Sequence, residues 1–173
     1  MICTLRECRW LLKRWGILLF GLAGILVATS SSAQVYATAI SKNESTGTAI
    51  IFRYIQSFGP GFDRATLPDR VILVWKYQSA SGMPAVEERQ RMDTLEDVVD
   101  PVVSRDRFAA LVLVSTGENL REWIFYTRSQ DEFLKRLNRA LAGKPAFPIE
   151  IHAASDPLWT TYDKFKAGMK EGE

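Results

Sequence analysis

Arginine and aromatic residues share the segment 121–127, and this combination is suited to binding. In a strand, one side would carry Arg121, Trp123, Phe125 and Thr127, and the other Glu122, Ile124 and Tyr126. An arginine fork matches carboxylate and phosphate oxygens, while an aromatic ring buries a large apolar area. The segment predicts a binding surface or, as the favoured interpretation, a core strand in which the stem of Arg121 covers an edge.

Other arginine and aromatic residues have the same two interpretations. If rings lie exposed beside Arg53 or Arg121, a ligand groove is the better account; if they are buried, they fill the core of a small domain. The candidate binding residues are Arg53, Trp75, Arg121, Trp123, Tyr126, Asp156, Trp159 and Tyr162.

Acid–base catalysis has few candidates. His152, the single histidine, could titrate near neutral pH, but no partner motif surrounds it, so a hydrogen-bonded or solvent-facing strand histidine is the favoured interpretation. Carboxylates could also converge, although helix-surface and capping roles explain them more simply. These carboxylates are Glu87, Glu88, Glu96 and Asp156.

The sequence lacks the residues and motifs of several common metal-binding, nucleotide-binding and nucleophilic sites. Both cysteines, Cys3 and Cys8, lie within residues 1–33, and the rest of the chain has one histidine and no thiol. These are too few ligands for a buried tetrahedral zinc site, and no acidic loop has EF-hand spacing. No phosphate-binding glycine loop and no Gly-x-Ser-x-Gly elbow occurs. We therefore expect neither metal nor cofactor.

Residues 1–33 have the pattern of a signal peptide. A basic start is followed by an apolar run, 16–28, and by small residues, Ser31-Ser32-Ala33, at a cleavage position. The run of 13 residues is shorter than the roughly 20 that span a bilayer. We expect cleavage, with a retained inner-membrane anchor as the alternative, and a single domain over 34–173.

Cleavage would remove both cysteines, so the mature chain could form no disulfide, and it would also change the net charge. Loss of four of the 22 basic and one of the 20 acidic residues leaves 18 against 19, a net charge of −1 instead of +2. A near-neutral domain gives no reason to expect nucleic acid as partner. We expect an unknown protein or small-molecule ligand in the cell envelope, a periplasmic or secreted location, and membrane contact only if the N-terminal segment is retained.

Strand and helix patterns alternate along 34–173. Strands are predicted over 35–41, 48–55, 71–77, 108–115, 120–127 and 148–153. Helices are predicted from Pro84 to a stop or kink near Val99 or Asp100, forced by Pro101; from the capping box at Ser129 to Gly143; and from Asp156 as N-cap with Pro157 at the first helical position. The last helix is expected to turn Leu158, Trp159, Tyr162, Phe165 and Met169 inward.

This order predicts an α+β fold. The part from Val71 to Ala153 reads β-α-β-β-α-β, a ferredoxin-like core with helices on one face of an antiparallel sheet, here with an added N-terminal β-hairpin and a C-terminal helix. Strand order does not show in periodicity, so another α+β topology with the same linear string stays open.

Five short segments together indicate a family. They are Gly82-Met83-Pro84, Leu95-Glu96, Thr116-Gly117, 121–127 and 156–162. As a set, they resemble the bacterial family called domain of unknown function 695, over about the whole of 35–165. The resemblance implies no settled activity. It does imply a regulatory or binding role, because in some architectures a similar domain stands beside one resembling regulator of ribonuclease activity B. An export signal would separate this chain from a cytoplasmic ribonuclease, and no such second domain is visible here.

Two hypotheses follow. The first is an exported, non-catalytic binding or regulatory module of unknown ligand, which the missing catalytic parts and the arginine and aromatic residues favour. The second is an envelope enzyme that uses a carboxylate or His152 as general acid or base, and it requires a pocket with two convergent titratable groups.

Overall fold

The computed structural model describes residues 34–42 and 47–170, which contain six strands and three helices. The strands are β1 (Val35–Lys42), β2 (Ala49–Ser57), β3 (Asp69–Lys76), β4 (Ala109–Gly117), β5 (Leu120–Thr127) and β6 (Ile149–Ser155). The helices are α1 (Val86–Val103), α2 (Gln130–Leu141) and α3 (Thr160–Lys170). The predicted α+β class and the predicted order of these elements are confirmed. The predicted signal peptide, residues 1–33, lies outside the described residues.

All six strands belong to one antiparallel sheet with the order β1-β2-β4-β5-β3-β6. The predicted N-terminal hairpin, β1 and β2, extends the sheet beside β4, and β6 forms the opposite edge beside β3. Only Glu118 and Asn119 separate β4 from β5, with φ of 51° and 65°. Positive φ at both central residues is what a two-residue type I′ hairpin requires.

Helices cover both faces of the sheet. Helices α1 and α2 pack on one face, where Trp75, Trp123 and Phe125 join the buried side chains of both helices. Helix α3 packs on the other face, against Ile124 and Tyr126. Strand β5 is therefore covered on both sides, which explains why its sequence is apolar at consecutive positions. None of the helices in 34–42 and 47–170 is long and apolar enough to cross a membrane.

The predicted stop of the first helix near Val99 or Asp100 is wrong. Helix α1 continues through Pro101 to Val103, and the Ser104 N–H donates to the Asp100 carbonyl at 2.9 Å. Pro101 lies in the last turn, so the lost N–H affects a single bond to the Asp97 carbonyl. Burial of Val99 and Val103 along the same stripe favours continuation of the helix across the proline.

The start of the last helix is also corrected. Asp156 does cap α3, because its carboxylate accepts from the Thr160 and Thr161 N–H groups at 2.8 and 3.0 Å, but the first helical residue is Thr160 rather than Pro157. Trp159 before it has φ of 56°, a left-handed conformation. This turn places the Trp159 ring in the core and leaves Leu158 80% exposed, against the prediction that Leu158 faces inward.

Candidate functional site

A groove of about 360 Å³ lies between the start of α1 and the sheet. Three arginines and one carboxylate supply its charges: Arg53, Arg89, Arg121 and Asp93. Its apolar lining comes from Ile51, Met83, Pro84 and Val114, and its hydroxyl groups from Thr38 and Thr116. The groove therefore combines cationic and apolar side chains.

Strand register places the sheet residues of this groove on one face. Residues directly opposite on neighbouring antiparallel strands point to the same side of a sheet. The pairings align Thr38, Arg53 and Val114 in one cross-strand row, and Ile51, Thr116 and Arg121 in the next. The N-terminal hairpin thus contributes half of the sheet side of the groove.

The loop before α1 is fastened to the β4–β5 turn. The Asn119 side-chain oxygen accepts from the Ser79 N–H at 2.7 Å, and the Asn119 N–H donates to the Gly82 carbonyl at 3.0 Å. Gly82 has φ of 74°, a conformation that glycine adopts without strain. These contacts hold the following residues, Met83 and Pro84, at the groove.

Glu96 of α1 joins the arginines of two strands. Its carboxylate pairs with Arg53 of β2 and accepts from Arg121 of β5 at 3.2 Å. The same carboxylate accepts from the Trp123 indole N–H at 2.8 Å. Asp93, one turn earlier, accepts from Arg121 at 2.8 Å. Two acidic residues at helical spacing therefore fix the guanidinium of Arg121.

The guanidinium of Arg121 is shielded from water. Its side chain is 10% exposed, its guanidinium lies 5.0 Å from the centre of the Trp123 ring, and its Nε is buried without a hydrogen-bond partner. An unpaired buried donor is costly, so Arg121 is held in place at a free-energy cost. Arg89 is exposed and makes no ion pair within the described residues, so a second cation at the groove is available to a ligand.

A scan against protein families matches residues 47–166 to a family of unknown function, DUF695. The chain belongs to this family. Comparison with curated proteins yields no match. Every lining residue of the groove except Thr38 falls within the part matched to DUF695.

The other predicted binding residues of this DUF695 chain lie in the two cores. Trp75 and Trp123 are buried under α1 and α2, and each indole N–H donates to a helix carboxylate, Trp75 to Glu88 at 2.6 Å. Tyr126, Trp159 and Tyr162 are at most 3% exposed on the α3 face. Of the eight predicted residues, Arg53 and Arg121 line the groove.

Asp156 and Tyr126 form a fixed pair on the α3 face. The Tyr126 hydroxyl donates to Asp156 at 2.7 Å. Burial, together with this hydrogen bond, raises the pKa of Tyr126. Burial would raise the pKa of Asp156 too, but the donors Tyr126, Thr160 and Thr161 outweigh it and hold that pKa below its ordinary value. The two pKa values move apart, so the pair suits structure rather than proton transfer near neutral pH.

A second titratable group lies one turn beyond Glu96. Asp100 accepts from the Ser104 hydroxyl at 2.5 Å, and burial raises the pKa of its carboxyl. Burial, and then the charge of Asp100, raise the pKa of the Tyr36 hydroxyl, which donates to the Leu111 carbonyl at 3.4 Å. Asp100 does not line the groove.

Sequence reasoning missed the acidic side of this site. Asp93 and Arg89 were not predicted as site residues, and Glu96 was interpreted as a helix-surface carboxylate. A usable signal was the spacing of Arg89, Asp93 and Glu96, four and three residues apart, which puts them along one stripe of a helix. The strand partners of Asp93 and Glu96 are 25 to 43 residues away, however, and no local pattern identifies them. No cluster of three metal-ligating side chains occurs in the described part of the chain.

Proposed function

We propose that this protein is an exported, non-catalytic binding module of the cell envelope that holds an anionic ligand in the groove between α1 and the sheet. The observation that carries the proposal is the pair Arg121 and Arg89: both line the groove, Arg121 is shielded from water, and Arg89 makes no ion pair within the described residues. Arginine forks pair with carboxylate and phosphate oxygens, and a volume of about 360 Å³ suits a small molecule.

The alternative, an envelope enzyme with general acid–base chemistry, has less support. His152 lies on the edge strand β6 with a side chain 59% exposed, 3.7 Å from Glu150. The Asp156 carboxylate already accepts hydrogen bonds from the Tyr126 hydroxyl and from two backbone N–H groups. Acid–base catalysis needs two such groups in reach of one substrate, and neither His152 nor Asp156 lines the groove.

We extend the proposal to topology and location. The order β4-β5-β3-β6 within the sheet supports the ferredoxin-like interpretation of the part from β3 to β6, with the β1–β2 hairpin and α3 as additions.

The pattern of residues 1–33 supports export. Cleavage after Ala33 would remove both cysteines, so fractionation of expressing bacteria should recover a thiol-free protein from the envelope fraction. Cytosolic protein that retains two reactive thiols would contradict export.

Arg121→Lys tests the binding site. The lysine keeps a positive charge beside Asp93 and Glu96 but loses the Nε donor and the fork. With benzoate and inorganic phosphate as probes in titration calorimetry, we expect the dissociation constant of the bound probe to rise about tenfold.

Arg136→Lys is the matched control. Arg136 is also a shielded arginine, 18% exposed, which pairs with Glu132 at 3.2 Å, but it lies on α2 and does not line the groove. Its exchange should leave the affinity unchanged. The proposal is overturned if the unmodified protein binds neither probe, or if Arg121→Lys binds both as tightly as the unmodified protein does.

A further inference from the structure

The charges and the apolar lining of the groove indicate which anion it holds. Charged side chains that line the groove or pair with its arginines are Arg53, Arg89, Arg121, Asp93 and Glu96, three cations against two carboxylates. One positive charge therefore remains uncompensated. A ligand with one negative charge neutralises it, whereas a phosphate monoester, with a charge of about −1.5 to −2 at pH 7, would leave excess negative charge beside Asp93.

The free cation of the groove suits a carboxylate. Glu96 already engages Arg53 and Arg121, and Asp93 engages Arg121. The Arg89 guanidinium remains without an ion pair in the described residues, and its N–H fork matches the two oxygens of a carboxylate.

The same groove has an apolar lining. Ile51, Met83, Pro84 and Val114 line it together with the arginines. Burying an apolar group against them is favourable in proportion to its area. A bare inorganic anion would leave these side chains in contact with water.

We propose that the ligand class is a small organic monocarboxylate with an apolar body: the carboxylate meets Arg121 and Arg89, and the body lies against Met83 and Val114. This inference rests on the proposed function, because it assigns a ligand class to the same groove. It adds a charge of −1 and an apolar body to the requirement for an anion.

Four probes that differ in one property each test this assignment, with affinities measured on the full chain by titration calorimetry. Benzoate has the charge and the ring, acetate lacks the ring, benzamide lacks the charge, and phenyl phosphate carries the ring on a phosphate. We expect benzoate to bind about tenfold more tightly than acetate, which loses the buried ring. We also expect benzoate to bind about tenfold more tightly than benzamide and more tightly than phenyl phosphate.

A substitution in the apolar lining separates the contribution of the ring to affinity from that of the carboxylate. Met83→Ser should weaken benzoate several-fold and leave acetate unchanged, while Val86→Ser, at an exposed position outside the groove, should change neither. If acetate binds as tightly as benzoate, the assignment of an apolar body to the ligand is overturned.

Failures of the two proposals are distinguishable. If phenyl phosphate or inorganic phosphate binds most tightly and the binding depends on Arg121, the monocarboxylate assignment is overturned while the anion groove stands. If none of the charged probes binds, both proposals fail. Equal binding of benzamide and benzoate would show that the ring alone is recognised, and would also overturn both.

Discussion

At the residue scale, Asp156 determines how α3 joins the sheet. Asp156 is 8% exposed, and its carboxylate accepts from the Tyr126 hydroxyl and from the first two backbone N–H groups of α3. Hydrogen bonds to a charged group contribute about 1.5–3 kcal/mol each to stability. We therefore expect Asp156→Asn to lower the free energy of unfolding at pH 7 by about 2 kcal/mol, measured by urea denaturation.

The same substitution has a pH signature. The pKa of Asp156 in the folded protein is below its value in the unfolded chain. The stabilisation by the carboxylate is therefore fully present above the unfolded pKa, about 4, and is lost as the pH falls through the lower folded pKa. The difference between Asp156→Asn and the unmodified protein should accordingly shrink below about pH 4.

Asp163→Asn controls for loss of charge on the same helix. Asp163 pairs with Arg64 at 2.8 Å but is 53% exposed, so its loss should cost less than about 1 kcal/mol. An Asp156→Asn protein as stable as the unmodified one at pH 7 would contradict the role given to this cap.

The predictability of individual residues depends on how local their partners are. Alternation along 121–127 correctly separates Trp123 and Phe125 from Ile124 and Tyr126, because a strand has period two. The sequence pattern does not show that the same alternation turns Arg121 toward a carboxylate of α1. The ion pair with Glu96 spans 25 residues, and its geometry follows from how α1 crosses the sheet.

At the element scale, Pro101 has a measurable cost. It lies exposed in the last turn of α1 and cannot donate to the Asp97 carbonyl. An interior helix proline costs about 3 kcal/mol, of which about 1 kcal/mol is offset because proline restricts the unfolded chain. Pro101→Ala should therefore raise the free energy of unfolding by about 2 kcal/mol, measured by urea denaturation.

A comparison on the same helix surface isolates the backbone effect. Asp97→Ala, one turn earlier, keeps the backbone N–H and should change stability by less than about 0.5 kcal/mol. If Pro101→Ala is instead less stable than the unmodified protein, the ring of Pro101 stabilises α1 through contacts that its exposure does not indicate.

Elements with local signals are predicted well, and those that depend on tertiary contacts are not. The Ser129 cap is confirmed, since its hydroxyl accepts from the Glu132 N–H at 3.4 Å within one turn. The start of α3 is misplaced by three residues because the turn from Asp156 to Trp159 is held by Tyr126 and by the Trp159 indole, which donates to the Leu67 carbonyl at 3.0 Å. Neither partner is near in sequence.

At the scale of the whole molecule, the sheet separates two cores, one on the face with the groove and one on the opposite face. The face under α1 and α2 carries the groove, and the face under α3 contains an aromatic cluster centred on Trp159. Its ring stacks on Tyr126 with centroids 3.9 Å apart and meets Phe58, Phe62 and Tyr162 edge-on. Sequence periodicity could assign side chains to alternate faces, but it could not show that the C-terminal helix lies opposite the other two.

This separation predicts that stability and binding respond independently. Trp159→Ala removes a fully buried indole and should cost about 4 kcal/mol in urea denaturation, whereas Leu158→Ala, the neighbouring 80% exposed residue, should change stability by less than about 0.5 kcal/mol. Neither residue lines the groove. At a temperature where Trp159→Ala remains folded, its affinity for benzoate should therefore stay within about twofold of the unmodified protein. A larger loss of affinity would mean that the α3 core sets the geometry of the groove through the shared strands, and that the two faces act as one unit.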